Sequence, residues 1–359
     1  LAEATQRGAF DYARAYDAEI ERVRGRAAQL LGASADEIAF VKNTTEGLGL
    51  VAAGLEWQRG DQVVSCDLEY PSNVYPWWSL ADRGVETVLL RGEAGRLPIE
   101  RIEEALKGPR VRLLTLSSVE FGSGLRHDLE AIGRLCAAHG VWLHVDGAHG
   151  ASALLSLTHR HRLAGIQHAR SIAWDPHKMM LLPLTASVVL VRDERDLEAA
   201  FSQRAPYLFH ARDGERRWDQ GLRSFTCSRR IDAFKVWVAI QRHGANGLGA
   251  LYDHLCANAR TMHGLLAARS DFVTIHEPES NILCFRWVGD GAVGEERLDS
   301  LNLRLREAYN RAGTGWITTT MLGGRRVLRV TLMNPRTTAT DLARTLDDLS
   351  EAGKQLLAG

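Results

Sequence analysis

The chain lacks an apolar run long enough to cross a membrane, and it lacks an excess of either charge. A spanning helix needs about 20 consecutive apolar residues. Forty-four lysine and arginine residues balance 44 aspartate and glutamate residues, so no net field draws the protein to nucleic acid or to an anionic lipid surface. Cysteine is sparse: Cys66, Cys136, Cys227, Cys256 and Cys284 are odd in number and form no CxxC pair. That excludes a zinc ribbon and a secreted disulfide scaffold, and reads as buried, reduced thiols in a cytoplasmic protein. The first 32 residues, LAEATQRGAFDYARAYDAEIERVRGRAAQLLG, are charged and amphipathic rather than a signal peptide. Repeats and low-complexity segments are absent. The histidines of HRH (159–161), with His144, His149, His168 and His177, fit no ligand spacing, so no metal site is expected.

What is present is 359 residues, 45% hydrophobic and 25% charged, enough for a large α/β unit with a satellite. Short apolar runs alternate with amphipathic helical patterns. EIAFV, QVVSC, ETVLL, VRLLTLSSV, VWLHVD, SIAWD and ASVVLVRD read as strands, with helices at TTEGLGLVAAGL, PIERIEEALKG and DLEAIGRLCAAHG. Such alternation predicts a mainly parallel, buried sheet, with ligands at the carboxyl ends of its strands. After about residue 230 the texture changes. IDAFKVWVAIQRHG, LGALYDHLCANARTMHGLLAAR, LRLREAYNRAG and TATDLARTLDDLSEAGKQLL read as helices, and ESNILCFRW and RRVLRVTLM as strands. The expected organisation is a large domain over residues 1–240 and a small α+β domain over 241–359.

Three strand ends carry chemistry. After EIAFV, Asn43-Thr44-Thr45-Glu46-Gly47 opens a helix; its hydroxyls and free N–H groups form either an anion cradle or a plain threonine cap. After VWLHV comes Asp146, a carboxylate that needs a partner, whether a ligand or the following turn. After SIAW comes Asp175-Pro176-His177-Lys178; an amine against apolar walls is either a nucleophile or a snorkelling surface lysine. Together, an anion cradle, an acid for a ring nitrogen and a Schiff-base lysine are the groups pyridoxal 5′-phosphate requires.

The chain also resembles the fold-type I pyridoxal-phosphate-dependent enzymes. Residues 15 to about 140 resemble the class V aminotransferase and cysteine desulfurase family through VRGRAAQLLGASADEIAFVKNTTEGLGLVA, EYPSNVYPW and SSVEFGSGLRHDLEAIG. Residues from about 141 to 359 resemble the group II amino-acid decarboxylases of the glutamate and cysteine-sulfinate type. The carriers there are HRHRLAGIQHARSIAWDPHKMM, APYLFH, TCSRRIDAFKVW, ESNILCFRW and LRVTLMNPRTT.

The resemblance implies an aspartate-aminotransferase-like fold and a homodimer with its site at the subunit interface. It implies that Lys178 binds the cofactor, that Asp146 pairs with the pyridine nitrogen, and that Thr44, Thr45 and His177 hold the phosphate. Tyr70 falls where the class V group stacks a histidine on the ring, and His149 falls near the cofactor's 3′-oxygen. Arg329 falls on the arginine that takes the substrate carboxylate, a task suited to a bidentate guanidinium.

Two departures bear on the reaction. GTGWITTTMLGG (313–324) lacks the desulfurase cysteine, and Trp218 stands where the decarboxylases carry a proton-donating loop tyrosine. An indole N–H is no useful acid. The N-terminal segment is short relative to both branches. The expectation is a PLP-dependent enzyme acting on an amino acid, a decarboxylase or carbon–carbon lyase. Class V-type transamination or epimerisation and a non-catalytic PLP-binding protein are the alternatives.

Overall fold

The computed structural model describes residues 21–29, 32–201, 224–226, 230–289, 291 and 293–358. A seven-stranded sheet forms the centre of the large unit: β1 (Ile38–Val41), β2 (Gln62–Cys66), β3 (Glu86–Leu90), β4 (Val111–Ser117), β5 (Trp142–Asp146), β6 (Ser171–Trp174) and β7 (Ser187–Val191). Their order across the sheet is β1-β7-β6-β5-β4-β2-β3. The pairs β2/β3, β2/β4, β4/β5 and β5/β6 are parallel; β7 runs antiparallel to both β6 and β1. All strands but β7 therefore point the same way.

The central strands are buried on both faces, which is why they read as continuous apolar runs rather than alternating ones. Two helices on one flank, α1 (Thr44–Gly54) and α2 (Tyr75–Trp78), are followed by α3 (Ile99–Leu106), α4 (Leu129–His139), α5 (Pro176–Met179) and α6 (Glu194–Ala200). Helix α4 shows both sequence signals of its ends: Asp128 accepts the Ala131 N–H as N-cap, and Gly140 ends it at φ 64°. The largest core joins Leu114, Leu116, Leu143 and Val145 of the sheet to Ile102, Leu129 and Ile132 of the helices.

The two helical patterns around residue 244 form two helices joined across a kink, together α7 (Asp232–Ala267); the kink is at Gly244, whose φ of 63° and ψ of 175° break the helical geometry. Tyr252, Leu255 and Cys256 of α7 sit in the large core, whereas Met262 and Leu266 sit in the small one. The small unit is a four-stranded antiparallel sheet, β8 (Phe272–Thr274), β9 (Ile282–Trp287), β10 (Thr318–Leu322) and β11 (Arg325–Thr331), in the order β10-β11-β9-β8. Helices α8 (Glu295–Ala312) and α9 (Ala339–Ala358) cover it, burying Phe285, Trp287, Leu301, Leu305, Leu346 and Leu349.

Two elements differ from the sequence reading. Helix α8 starts eight residues before LRLREAYNRAG, because its first turns are charged and mask the buried Leu298 and Leu301. Strand β10 occupies the threonine run of GTGWITTTMLGG, which carries no alternating apolar signal. Cys66, Cys136, Cys256 and Cys284 are free and buried; Cys227 lies outside the described residues.

Gly47 lets α1 lie close on the sheet: a Cβ there would come within 2.4 Å of Val189 Cγ2 on β7. Gly47→Ala is expected to lower stability by about 1–3 kcal/mol through this overpacking, read as a lower urea midpoint at unchanged slope.

Candidate active site

The strands that run together deliver their ends to one edge, and the polar residues beyond them meet in a cleft of about 470 Å³. That volume suits a small organic ligand. Asn43, Thr44, Thr45, Tyr70, Ser72, Ser117, Asp146, His149, Asp175 and Lys178 line it from the large unit. Ile282, Thr318, Thr319, Thr320 and Arg329 line it from the small one.

The anion-binding end is the N-terminus of α1. Asn43 caps it by accepting the Glu46 N–H at 2.9 Å, leaving the first N–H groups of the helix aimed outward. Thr45 donates its hydroxyl to Ser72 at 2.9 Å, so two hydroxyls border the cleft side by side. The hydroxyl of Thr44 is directed elsewhere, donating to Asp175 Oδ2 at 2.6 Å. His177 departs from the expected role: its Nδ1 lies 2.8 Å from the Ala186 carbonyl oxygen and its Nε2 3.5 Å from Asp175, and its side chain does not line the cleft.

Asp146 ends β5, buried, with Oδ1 accepting the Ala148 N–H at 2.9 Å. Burial pushes its acid up to about 6, opposed by the positive charge of Lys178. A carboxylate so desolvated gains from a cationic N–H donor in the cleft. Lys178, on the single turn of α5, points its amine to within 3.3 Å of Asp175 Oδ2. His149 is held at about 4 by burial, against the favourable bond to Asn281. Its Nε2 is 2.6 Å from Asn281 Oδ1, and Asn281 Nδ2 donates to the Leu332 carbonyl at 3.1 Å. That second bond fixes the amide orientation, so His149 donates from Nε2. Arg329 reaches in from β11, its Nε donating to the Phe121 carbonyl at 2.7 Å and its Nη1 to Thr331 Oγ1 at 2.8 Å. Tyr70 stands edge-on to Phe121 at the rim, with ring centroids 5.3 Å apart.

Behind the cleft lies a buried acid pair that the sequence reading missed. Glu69 Oε2 accepts Asn73 Nδ2 at 2.9 Å and the Ser117 hydroxyl at 2.6 Å. Burial raises its acid to about 7, with the Asp146 charge adding to the rise. Glu120 is 1% exposed, has no hydrogen-bond partner on either oxygen, and is pushed well above the usual carboxylate range by burial and then by Glu69. Acids in a loop look solvated in sequence, and only the topology shows them indoors. Asn281 and Thr318–Thr320 were also missed: a lone asparagine at a strand start and a threonine run carry no ligand spacing. Trp218 lies outside the described residues.

Arranged this way, the site has the groups of a pyridoxal-phosphate enzyme, and comparison with known proteins agrees. Residues 119–288 match the pyridoxal-dependent decarboxylase conserved domain, and residues 1–155 match aminotransferase class-V. Residues 1–288 are thus similar to families of pyridoxal-phosphate-dependent enzymes, and the cofactor these similarities indicate is pyridoxal 5′-phosphate.

Among its relatives, human cysteine sulfinic acid decarboxylase is 32% identical over 284 residues, covering 75% of this chain and 58% of that protein. L-2,4-diaminobutyrate decarboxylase of Rhizobium meliloti is 35% identical over 230 residues, 64% of this chain and 46% of that protein. The crystal structure of mouse CSAD superposes with a TM-score of 0.84 at 26% identity, covering 96% of this chain and 77% of that one. The chain thus spans under two thirds of the length of these curated relatives.

Acids raised by burial stabilise the fold when protonated. For Glu69 the contribution is complete below its ordinary value of 4.5 and is lost as pH rises through about 7. The urea midpoint is therefore expected to fall between pH 4.5 and pH 7, and Glu69→Gln, which stays neutral throughout, is expected to flatten that slope.

Proposed function

We propose that this chain is a pyridoxal-phosphate-dependent amino-acid decarboxylase, a carbon–carbon lyase, that works through Lys178. The observation that carries the reading is one cleft bordered by an amine, a buried carboxylate and a guanidinium: Lys178, Asp146 and Arg329. The residues present fit the cofactor. The desolvated Asp146 would offer its carboxylate to the ring nitrogen and keep a proton there. The α1 N-terminus, with the hydroxyls of Thr45 and Ser72, would hold the phosphate, and Tyr70 and His149 would flank the ring. His177 would support this floor through Asp175 and Ala186.

When bound, the cofactor supplies a sink for the electron pair left at the substrate Cα. The chain's own groups do the rest. Arg329, held by Phe121 and Thr331, takes a substrate carboxylate bidentately. Thr318 and Thr320, on the same face of the small sheet as Arg329, present neutral hydroxyls to the substrate side chain. Tyr70 and Phe121 narrow the rim and exclude water. With an indole at position 218, the proton delivered to Cα comes from Lys178.

The substrate class is α-amino acids with a polar side chain, as the relatives' cysteine sulfinate and 2,4-diaminobutyrate suggest. The working unit is a homodimer, and the compartment is the cytoplasm.

The test is to load the purified protein with pyridoxal 5′-phosphate, record its visible absorbance, and reduce with borohydride. The absorbance is expected to vanish and the cofactor to map to Lys178. Lys178→Ala is expected to lose the covalent colour and to lower turnover by roughly 10³-fold or more. With cysteine sulfinate, glutamate, aspartate and 2,4-diaminobutyrate, CO₂ is expected in step with the product amine. Keto acid or racemised substrate without CO₂ would overturn the decarboxylase reading.

A further inference from the structure

Asp175 has no role in the proposed reaction, yet it is the most heavily engaged carboxylate in the cleft. It follows β6 directly and is 2% exposed. Its Oδ2 accepts the Thr44 hydroxyl at 2.6 Å and lies 3.3 Å from Lys178 Nζ, and its Oδ1 accepts the Ser187 hydroxyl. A carboxylate removed from water must be paired and hydrogen-bonded. Here the two neutral donors come from α1 and β7, elements that flank β6. They fix the carboxylate plane and leave Oδ2 facing the cleft. Among the described residues, the lysine is the cation within reach of that oxygen, with the His177 ring farther off at 3.5 Å. The single turn of α5 places Lys178 three residues beyond Asp175, on the same face.

A lysine amine sits on a four-carbon stem with many rotamers. Lys178 is 39% exposed along its side chain, so the stem has open space to leave the site. Something must bring the amine back to the cleft whenever it is not covalently engaged. Asp146 also borders the cleft, but the proposed reading commits it to the cofactor ring.

We propose that Asp175 is the positioning residue of Lys178: its carboxylate receives the free ammonium and keeps it at the carboxyl edge of the sheet, aimed into the cleft. This rests on the reading of Lys178 as the reactive amine. The plainer role for Asp175 is a hub that ties α1 to β7 through Thr44 and Ser187, and the two roles separate by experiment.

The chain has only five lysines, so amine acylation can be followed at each by mass spectrometry. The full-length protein, freed of cofactor, is treated with a limiting N-hydroxysuccinimide acetate. The rate at Lys178 is expressed relative to the exposed Lys354. An ammonium held by a carboxylate is a poor nucleophile, so Lys178 is expected to react slowly in the wild type.

Asp175→Asn, which keeps an acceptor oxygen but removes the charge, is expected to raise the ratio about tenfold. Asp175→Glu keeps the charge and Thr44→Val removes only one neutral bond, so both are expected to stay within about threefold of the wild type. An unchanged ratio in Asp175→Asn overturns the proposal. So does an equal rise in Asp175→Asn and Thr44→Val, which would mark a packing role. Far-UV circular dichroism checks that each variant folds; if Asp175→Asn does not, a rise above threefold in Asp175→Glu overturns the proposal and a ratio within that range supports it. Borohydride mapping of the cofactor-loaded wild type reports separately. Cofactor attached elsewhere than Lys178 overturns the proposed function, whatever the labelling shows.

Discussion

Strand direction is the constraint on which the site depends. Because β1, β2, β4, β5 and β6 run the same way, whatever follows each of them arrives at one edge. Thr44, Tyr70, Ser117, Asp146 and Asp175 are far apart in the chain and neighbours in space for this reason alone. The reversed β7 adds to this: it brings Ser187, at its start rather than its end, to the same edge, where its hydroxyl meets Asp175. A parallel sheet costs long crossovers but gathers loop chemistry at one rim.

The electrostatics of that rim follow from burial. Asp146, Glu69 and Glu120 are all raised by desolvation; the Asp146 charge adds to the rise of both glutamates, and the Glu69 charge to that of Glu120. Lys178 and Arg329 are the cations bordering the cleft among the described residues. The acid-rich floor draws positive charge, and the helix N-terminus at the opposite end draws negative charge. A ligand with a cationic ring nitrogen at one end and a phosphate at the other matches both.

Much of this was legible in the sequence. Every strand of the large sheet reads as a short apolar run; in all but the edge strand β3, burial on both faces removes polar interruptions. Asp146 and Lys178 stand directly after such runs, which is what made their chemistry readable. Of the groups from the small unit, Arg329 was named only through the resemblance, and Asn281 and the threonine run not at all. Asn281 meets His149 across 132 residues of chain, and no local pattern encodes a contact of that span. The contacts of His177 were hidden for the same reason: sequence adjacency to Lys178 suggested a shared task, whereas in the fold its ring also meets the Ala186 carbonyl. The buried Glu69 and Glu120 belong to loops, where an acid is ordinarily solvated, and only the fold over them takes the water away.

The part of α7 beyond Gly244 has a mechanical consequence. It packs into the large core through Tyr252 and Leu255 and ends in the small core at Met262 and Leu266. Neither sheet can lose its packing without stripping one end of a helix that the other sheet still needs. The shared helix couples the stability of the two units. Any rocking of one against the other falls between Cys256 and Met262 of the helix and on the loops, and it would carry Asn281 and Arg329 as a pair relative to Lys178.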